Sequence, residues 1–297
     1  MFNNVVVGVD EGEGGRDAIA LARALLADGG ELTLAHVFIE DLVGSRVWSD
    51  PGIEARREHA RELLERAASV AGIQANLRWR GAASVGRGLH EIAELTQADL
   101  LVVGSSRRGL LGRVRLADDT RSALNGAPCA IAVAPAGYST EPPALMREIG
   151  VGYDGSPESK QAMAFARRLA HDTDAKLSAF QVVSAPSFRF RRRTAVAGTV
   201  IKEVIDEARG HIAAFEGVEA HSAYGDRAEE LTLYSASLDL LVLGSRGYGP
   251  VGRLVHGSTS QQLARTARCP LLVLTRAARE EYPPASESRQ DTVSTVA

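Results

Sequence analysis

Residues 241–259 read LVLGSRGYGPVGRLVHGST. The apolar run Leu240-Leu241-Val242-Leu243 stops at Gly244, Gly247 follows, and Gly257-Ser258 closes the stretch. Ser258 then opens an amphipathic segment, Thr259 to Ala267. This order predicts a strand, a glycine-rich loop and a helix. Glycines admit positive φ and let a ligand come close to bare N–H groups. A helix starting at Ser258 offers unpaired N–H groups and the positive end of its dipole. Together they form a nest for an anion, and phosphate is the best fit. Two glycines at this spacing alone are a weak signal. A strand, Gly-x-x-Gly, nine residues and Gly-Ser at a helix start, in that order, are a strong one.

Working outward, the strand before this loop has a twin: LDLLVLGS (238–245) matches ADLLVVGS (98–105). Other segments pair in the same way. Val5-Val6-Val7-Gly8-Val9, ending at Asp10, matches Ile149-Gly150-Val151-Gly152-Tyr153, ending at Asp154. Leu32 to Val37 matches Leu177 to Val182, Asn76 to Trp79 matches Glu219 to Tyr224, and Cys129 to Val133 matches Cys269 to Val273. Helical periodicity alternates with these runs: Arg16 to Ala27, His59 to Val70 and Leu89 to Gln97 in the first half; Pro157 to His171, about Val200 to Phe215 and Ala228 to Ser237 in the second. Ser156-Pro157 is a strong helix start, with Ser at the N-cap and Pro at the first position. Equivalent residues stay about 140 apart, as for Gly104 and Gly244 or Cys129 and Cys269, so one unit is written twice.

Each unit reads β-α-β-α-β-α-β-α-β. Short β-branched strands alternating with helices imply a parallel sheet covered on both faces, with right-handed crossovers. The expected fold is α/β, two tandem doubly wound domains. The units span 1–140 and 146–277, joined by a linker within Pro135–Arg147, and the polar segment 278–297 reads as a disordered tail.

The glycine pattern resembles the nucleotide-binding loop of the universal stress protein family, whose ATP-binding members carry Gly-x-x-Gly-x9-Gly-Ser/Thr. The resemblance covers nearly the whole chain, since the unit occurs twice. It implies the strand order 3-2-1-4-5 in each five-stranded parallel sheet. In that order the winding reverses between the first and fourth strands, where ligands of such sheets bind. By resemblance, Asp154 and its neighbouring backbone contact adenine and ribose, and Val182 packs on the base. Leu243, Gly244, Gly247, Gly257, Ser258 and Thr259 then carry ribose and phosphates. The ligand implied is ATP, with Mg²⁺ as an accompanying ion. Each residue also has a structural reading. Asp154 at a strand end caps the next helix, and Ser258 is an N-cap with Gln261 completing a capping box.

The first unit departs from the pattern. In GSSRRGLLGRVRLADDT (104–120), Gly104 is kept, but Arg107, Ala117 and Asp118 replace the second glycine, the third glycine and the serine. Asp118 sets a negative charge where an anion would sit. Like charges ~4 Å apart repel by about 1 kcal/mol in water and about 4 kcal/mol at an effective dielectric of 20. The first unit is therefore expected to keep the fold and to lose or weaken nucleotide binding.

Hydrolytic machinery is not apparent. There is no Gly-x4-Gly-Lys-Ser/Thr motif, no acidic pair dedicated to Mg²⁺, and His256 reads as structural or solvent-facing. The leading function is a nucleotide-dependent stress-response regulator with no catalytic residue assigned. A slow ATPase and a partner-binding module with a structural nucleotide are its rivals. Cys129 and Cys269 read as small buried residues. A net charge of −3 gives no case for nucleic-acid binding, and the basic FRFRRRT run (188–194) reads as a lid, a docking loop or a charged loop. No apolar run approaches the ~18 residues of a membrane span, and MFNNVVVGVD lacks the features of a signal peptide. Two cysteines in 297 residues fit a reducing cytoplasm. The last strands, Ala130–Val133 and Leu271–Leu274, are apolar and lie at sheet edges in the 3-2-1-4-5 order, so they are expected to pair the units as an intramolecular pseudo-dimer. Chains pairing further as a homodimer is a second expectation.

Overall fold

The computed structural model describes residues 1–40, 52–105, 126–143, 145–184, 194–245 and 258–275. The first unit runs β1 (Phe2–Gly8), α1 (Glu13–Leu25), β2 (Leu26–Ile39), α2 (Ile53–Ala71), β3 (Asn76–Ala82), α3 (Val85–Leu95), β4 (Leu100–Gly104) and β5 (Ala130–Ala134). The second runs β6 (Glu148–Gly152), α4 (Pro157–Thr173), β7 (Lys176–Val183), α5 (Thr194–Ala213), β8 (Val218–Tyr224), α6 (Arg227–Tyr234), a 3-10 turn, β9 (Leu240–Gly244), α7 (Ser258–Thr266) and β10 (Leu271–Leu274). The expected tail at 278–297, the basic loop before Thr194 and the first unit's loop from Ser106 to Asn125 lie outside the described residues.

The strands of the described residues form one sheet, in the order β3-β2-β1-β4-β5-β10-β9-β6-β7-β8. Each half has the order 3-2-1-4-5 and is parallel throughout. The halves meet where β5 and β10 pair antiparallel, with Val133, Ala132 and Ile131 opposite Leu271, Leu272 and Val273. Strand alternation sends Ala132 and Leu272 to one face and Ile131, Val133, Leu271 and Val273 to the other, and all are buried. Both apolar layers therefore continue across the seam. One joins Val5, Val7 and Val102 to Ile149, Val151 and Val242, and the other joins Leu101 and Val103 to Leu241 and Leu243. Phe2 of β1 stacks on Phe165 of α4, with ring centroids 5.4 Å apart. Thr275 donates its hydroxyl to the Cys129 carbonyl at 2.9 Å, tying the end of one unit to the other.

The linker is held. Asp17, on α1 and 1% exposed, accepts from Gly137 N (2.8 Å), Ser139 N (2.8 Å) and Ser139 Oγ (2.6 Å). The turn it holds places Tyr138 in the core, where burial pushes the phenol up to about 12. A second clamp appears in both units. Asp99, just before β4, accepts from Asn3 N and Asn4 N, and Asp239, before β9, accepts from Arg147 N and Glu148 N. Each aspartate fastens the start of the unit's first strand to its fourth, the two strands that flank the winding reversal.

Several boundaries differ from the sequence reading. Helix α1 ends at Leu25 and β2 begins at Leu26, not at Leu32, because Leu26 pairs with Phe2 before the register jumps to Asn4 opposite Glu31. Gly29, at φ 75°, lies in the chain taken up by that jump. Helix α2 begins at Ile53, not His59. Its first turns are polar and exposed, held by Arg57–Glu54 (2.8 Å) and Arg61–Glu58 (2.5 Å), so they carry no apolar period. Helix α3 begins at Val85 behind the Ser84 N-cap, not at Leu89. Gly88 falls in the part missed, and a Cβ there would lie 2.5 Å from Val37 Cγ1, so glycine lets the helix sit close on β2.

One glycine pair has a packing role. A Cβ on Gly104 would run into the backbone carbonyl of Gly14 in α1, and a Cβ on Gly244 would run into that of Glu158 in α4. The end of the fourth strand therefore needs glycine in both units, whatever either unit binds. Gly104→Ala and Gly244→Ala are each expected to lower the urea-unfolding free energy by about 1–3 kcal/mol. Losses below about 0.5 kcal/mol, the level of an ordinary surface change, would contradict the packing role. For the seam, a protease site inserted between Glu141 and Pro142 and then cut should leave two halves that co-elute on size exclusion at micromolar concentration. Separation of the halves there would show that the β5–β10 pairing needs the covalent link.

Candidate functional site

The reversal in the second unit lies between β6 and β9, which pair with Ile149 opposite Leu240 and Val151 opposite Val242. From β6 the chain crosses to β7 on one side, and β9 lies on the other. A cleft of about 350 Å³ lies beyond the carboxyl ends of β6 and β7. Asp154 and Val182, at the ends of β6 and β7, both line it. The remaining wall comes from Gln181, Val183 and Ser184 of β7 and its end, from Val204, Glu207, Ala208 and His211 of α5, and from Arg227 at the start of α6. This volume falls within the ~300–1,000 Å³ of small-molecule sites.

Asp154 carries a structural duty as well. Its Oδ1 accepts from Ser156 N (3.1 Å) and Ser156 Oγ (2.5 Å), while Ser156 caps α4 by accepting from Ser159 N. The cap of α4 is thus Ser156, not Asp154; Asp154 buttresses that cap and also stands exposed on the cleft. Val182 is 8% exposed and shares the apolar layer beneath with Phe180 and Leu243. Leu243 is itself buried, against the Cα of Gly152, where a Cβ would lie 2.5 Å from its Cδ2. Its side chain therefore packs in the core layer, and it is not among the residues that line the cleft. Gly244 ends β9 beside this point, and Ser258 is the first residue of α7, as the sequence predicts. Thr259 is half-buried in the first turn of that helix. Gly247, Gly257, Arg246, Arg253 and His256 lie outside the described residues.

The cleft contains groups that the sequence reading did not single out. Gln181 has a buried carboxamide oxygen to which none of the described residues donates. It sits one residue before Val182, so its position was visible and its missing partner was not. Glu207 and His211 stand one helical turn apart on α5, a spacing legible only once the helix is known to lie on this cleft. Tyr153, just before Asp154, sets its ring edge-on to Phe215 at 5.5 Å, and burial raises its phenol.

The first unit's equivalent crevice is furnished differently. His36 stands where the second unit has Gln181, and its Nδ1 lies 2.8 Å from the Val9 carbonyl oxygen. Matching the buried pair Ala60 and Leu64 of α2 to Ala208 and Ile212 of α5 sets His59 against Glu207. His59 Nε2 lies 2.6 Å from Glu11 Oε1, so a side-chain pair bridges the end of β1 and α2. The second unit has Gly155 in place of Glu11. The cysteines are buried at 3% and 4%, and burial pushes the Cys269 thiol up to about 12, so it stays neutral and unreactive. Among the described residues no group of three His, Cys, Asp or Glu could hold a metal ion, and no helix is long and apolar enough to cross a membrane.

Comparison with known proteins fits this architecture. A sequence model of the Universal stress protein family matches residues 1–135 and again residues 146–275. A universal stress protein of Mycobacterium tuberculosis is 31% identical over 185 residues, which are 60% of this chain and 62% of that one. The chain thus spans about three fifths of that relative's length. A second one from the same organism is 27% identical over 251 residues, covering 77% of this chain and 81% of that one. The crystal structure of a universal stress protein from Archaeoglobus fulgidus superposes with a TM-score of 0.65 at 19% identity, over 92% of this chain and 98% of that one. That likeness speaks to the fold. With the family model matched twice, once on each half of a sheet of this order, the chain belongs to the universal stress protein family.

Proposed function

We propose that the second unit binds ATP, or a closely similar adenine nucleotide, and that the occupied state is what partners in a cytoplasmic stress response read. The observation that carries this is the meeting of Asp154 and Val182, both singled out from sequence, in one cleft beyond the ends of β6 and β7. β6, whose end leads to Asp154, pairs with β9, the strand that ends at Gly244. The base would lie between Val182 and the α5 wall. Asp154 offers acceptors to ribose hydroxyls or a base amine. The loop glycines and the amino end of α7 offer N–H donors and a positive dipole to the phosphates. Gly244 adds little to the case, since its packing role accounts for it.

The absence of a phosphate-cradling lysine in the sequence argues for binding over rapid turnover. The bound nucleotide would act as a conformational ligand, shifting the chain toward whichever state binds it better. The first unit, with its altered loop and its Glu11–His59 bridge, would supply sheet and seam without a site.

The test separates loop from fold. Gly247→Val and Gly257→Val are expected to weaken ATP binding at least tenfold in calorimetry, with unfolding transitions close to that of the parent chain. A β-branched side chain blocks the approach of phosphate and resists positive φ. Undiminished affinity in either folded variant would refute the assignment. Incubated ATP should also be recovered largely intact with and without Mg²⁺, and steady ADP release would favour the ATPase reading.

A further inference from the structure

We propose that Ser235 and Thr232 are positioning residues for the phosphates of the bound nucleotide, acting through α7. They hold that helix by its carboxyl end and so fix where its first residue, Ser258, stands. This inference rests on the nucleotide reading of the second unit and goes beyond it by naming what sets the phosphate-facing helix in place. Ser235 follows α6 in the 3-10 turn and is 0% exposed. Its Oγ donates to the Thr232 carbonyl at 2.7 Å and accepts at 2.9 Å from the backbone N–H of Arg268, just past the end of α7. Thr232 of α6 and Thr266, the last residue of α7, share a hydrogen bond between their hydroxyls at 2.7 Å. Leu231 and Leu263, one from each helix, are buried in the same apolar layer.

Both hydroxyl ties act at one end of a short, stiff rod. At 1.5 Å per residue, Ser258 lies about 12 Å along α7 from Thr266. A tilt of ~10° about the tied end therefore carries the helix start by roughly 2 Å. Good N–H···O distances span only about 0.5 Å, so a shift of that size takes an N–H out of reach of a phosphate oxygen. The positive end of the helix dipole moves with it. Helix α6 also borders the cleft, which Arg227 lines at its start, so one helix meets the base side and carries the phosphate side. The first unit lacks the device. At the offset that relates Gly104 to Gly244, Thr232 and Ser235 match Ile92 and Leu95, which have no hydroxyl. Leu95 is 74% exposed, so it is no apolar substitute for the buried serine. The hydroxyls thus accompany the intact loop pattern and are missing beside the altered one.

ATP and adenosine share base and ribose and differ in the phosphates, so together they isolate this end of the site. On the full chain, calorimetry is expected to show Ser235→Ala weakening ATP about five- to twentyfold and leaving adenosine within about twofold. Thr266→Val keeps the shape and removes an exposed hydroxyl, and should weaken ATP about two- to fivefold. Thr266→Ser keeps the hydroxyl and should match the parent chain; a loss equal to that of the valine variant would overturn the proposal. A role in stability alone would leave both affinities unchanged in the folded variant or lower both together. Either result in folded Ser235→Ala overturns the proposal. If Ser235→Ala does not fold, Thr266→Val decides, and parental ATP affinity there overturns it. A parent chain that binds ATP no tighter than adenosine would overturn it without any variant. Binding of neither would sink the nucleotide reading and this inference together, whereas ATP held equally well by parent and variants sinks the inference alone.

Discussion

The structure depends on the antiparallel pairing of β5 with β10. Each parallel half ends in an apolar strand whose free edge would invite association. Setting Ala132 opposite Leu272 and Ile131 opposite Val273 removes both edges at once. It also fuses the apolar layers on each face, so the two halves share their cores as well as a ladder of hydrogen bonds. The clip between Asp17 and the turn at Gly137–Ser139 and the Thr275–Cys129 bond act at the same boundary. Because the halves run antiparallel to each other, the carboxyl ends of their strands point in opposite directions, and so do the two winding reversals. A ligand at one reversal lies far from the other along the strand direction. One crevice can therefore change its chemistry without disturbing its twin.

The duplication also sorts the glycines of the loop motif by physical role. Gly104 survives in a unit whose loop has otherwise lost its pattern, and the contact with the Gly14 carbonyl explains its survival. Gly244 meets the Glu158 carbonyl in the same way. A glycine at that point reports the close approach of a helix to a strand end and says little about ligands. The positions that separate the two units are those occupied by Gly247, Gly257 and Ser258 in one and Arg107, Ala117 and Asp118 in the other. Away from the loop the separation continues in Gln181 against His36, Gly155 against Glu11 and Glu207 against His59.

Most of the fold was legible because buried parallel strands are short, apolar and β-branched, and a repeat doubles every signal. Val5–Val7, Leu100–Val103 and Leu240–Leu243 needed little more than their composition. The misjudged boundaries share a cause: local pattern carries no trace of what they contact. The polar first turns of α2 present no apolar face, Gly88 looks like a helix breaker until Val37 is seen beneath it, and Leu26 pairs with Phe2 through an irregular register. In the site, Asp154 and Val182 could be named because the family resemblance implies ligand contact at these strand ends and the strands themselves were legible. Glu207, His211 and Arg227 could not, since their place on the cleft depends on how α5 and α6 lie on the sheet. Nothing in the local pattern sets Asp17 apart, and only the fold brings the linker's N–H groups to it.

On the proposed function the two units are asymmetric: one crevice takes a nucleotide, and the other is bridged by its own side chains. Equilibrium dialysis of the full chain against radiolabelled ATP at saturating concentration measures that asymmetry directly. The account predicts a plateau of one nucleotide per chain; a plateau of two, or no saturable binding, would contradict it.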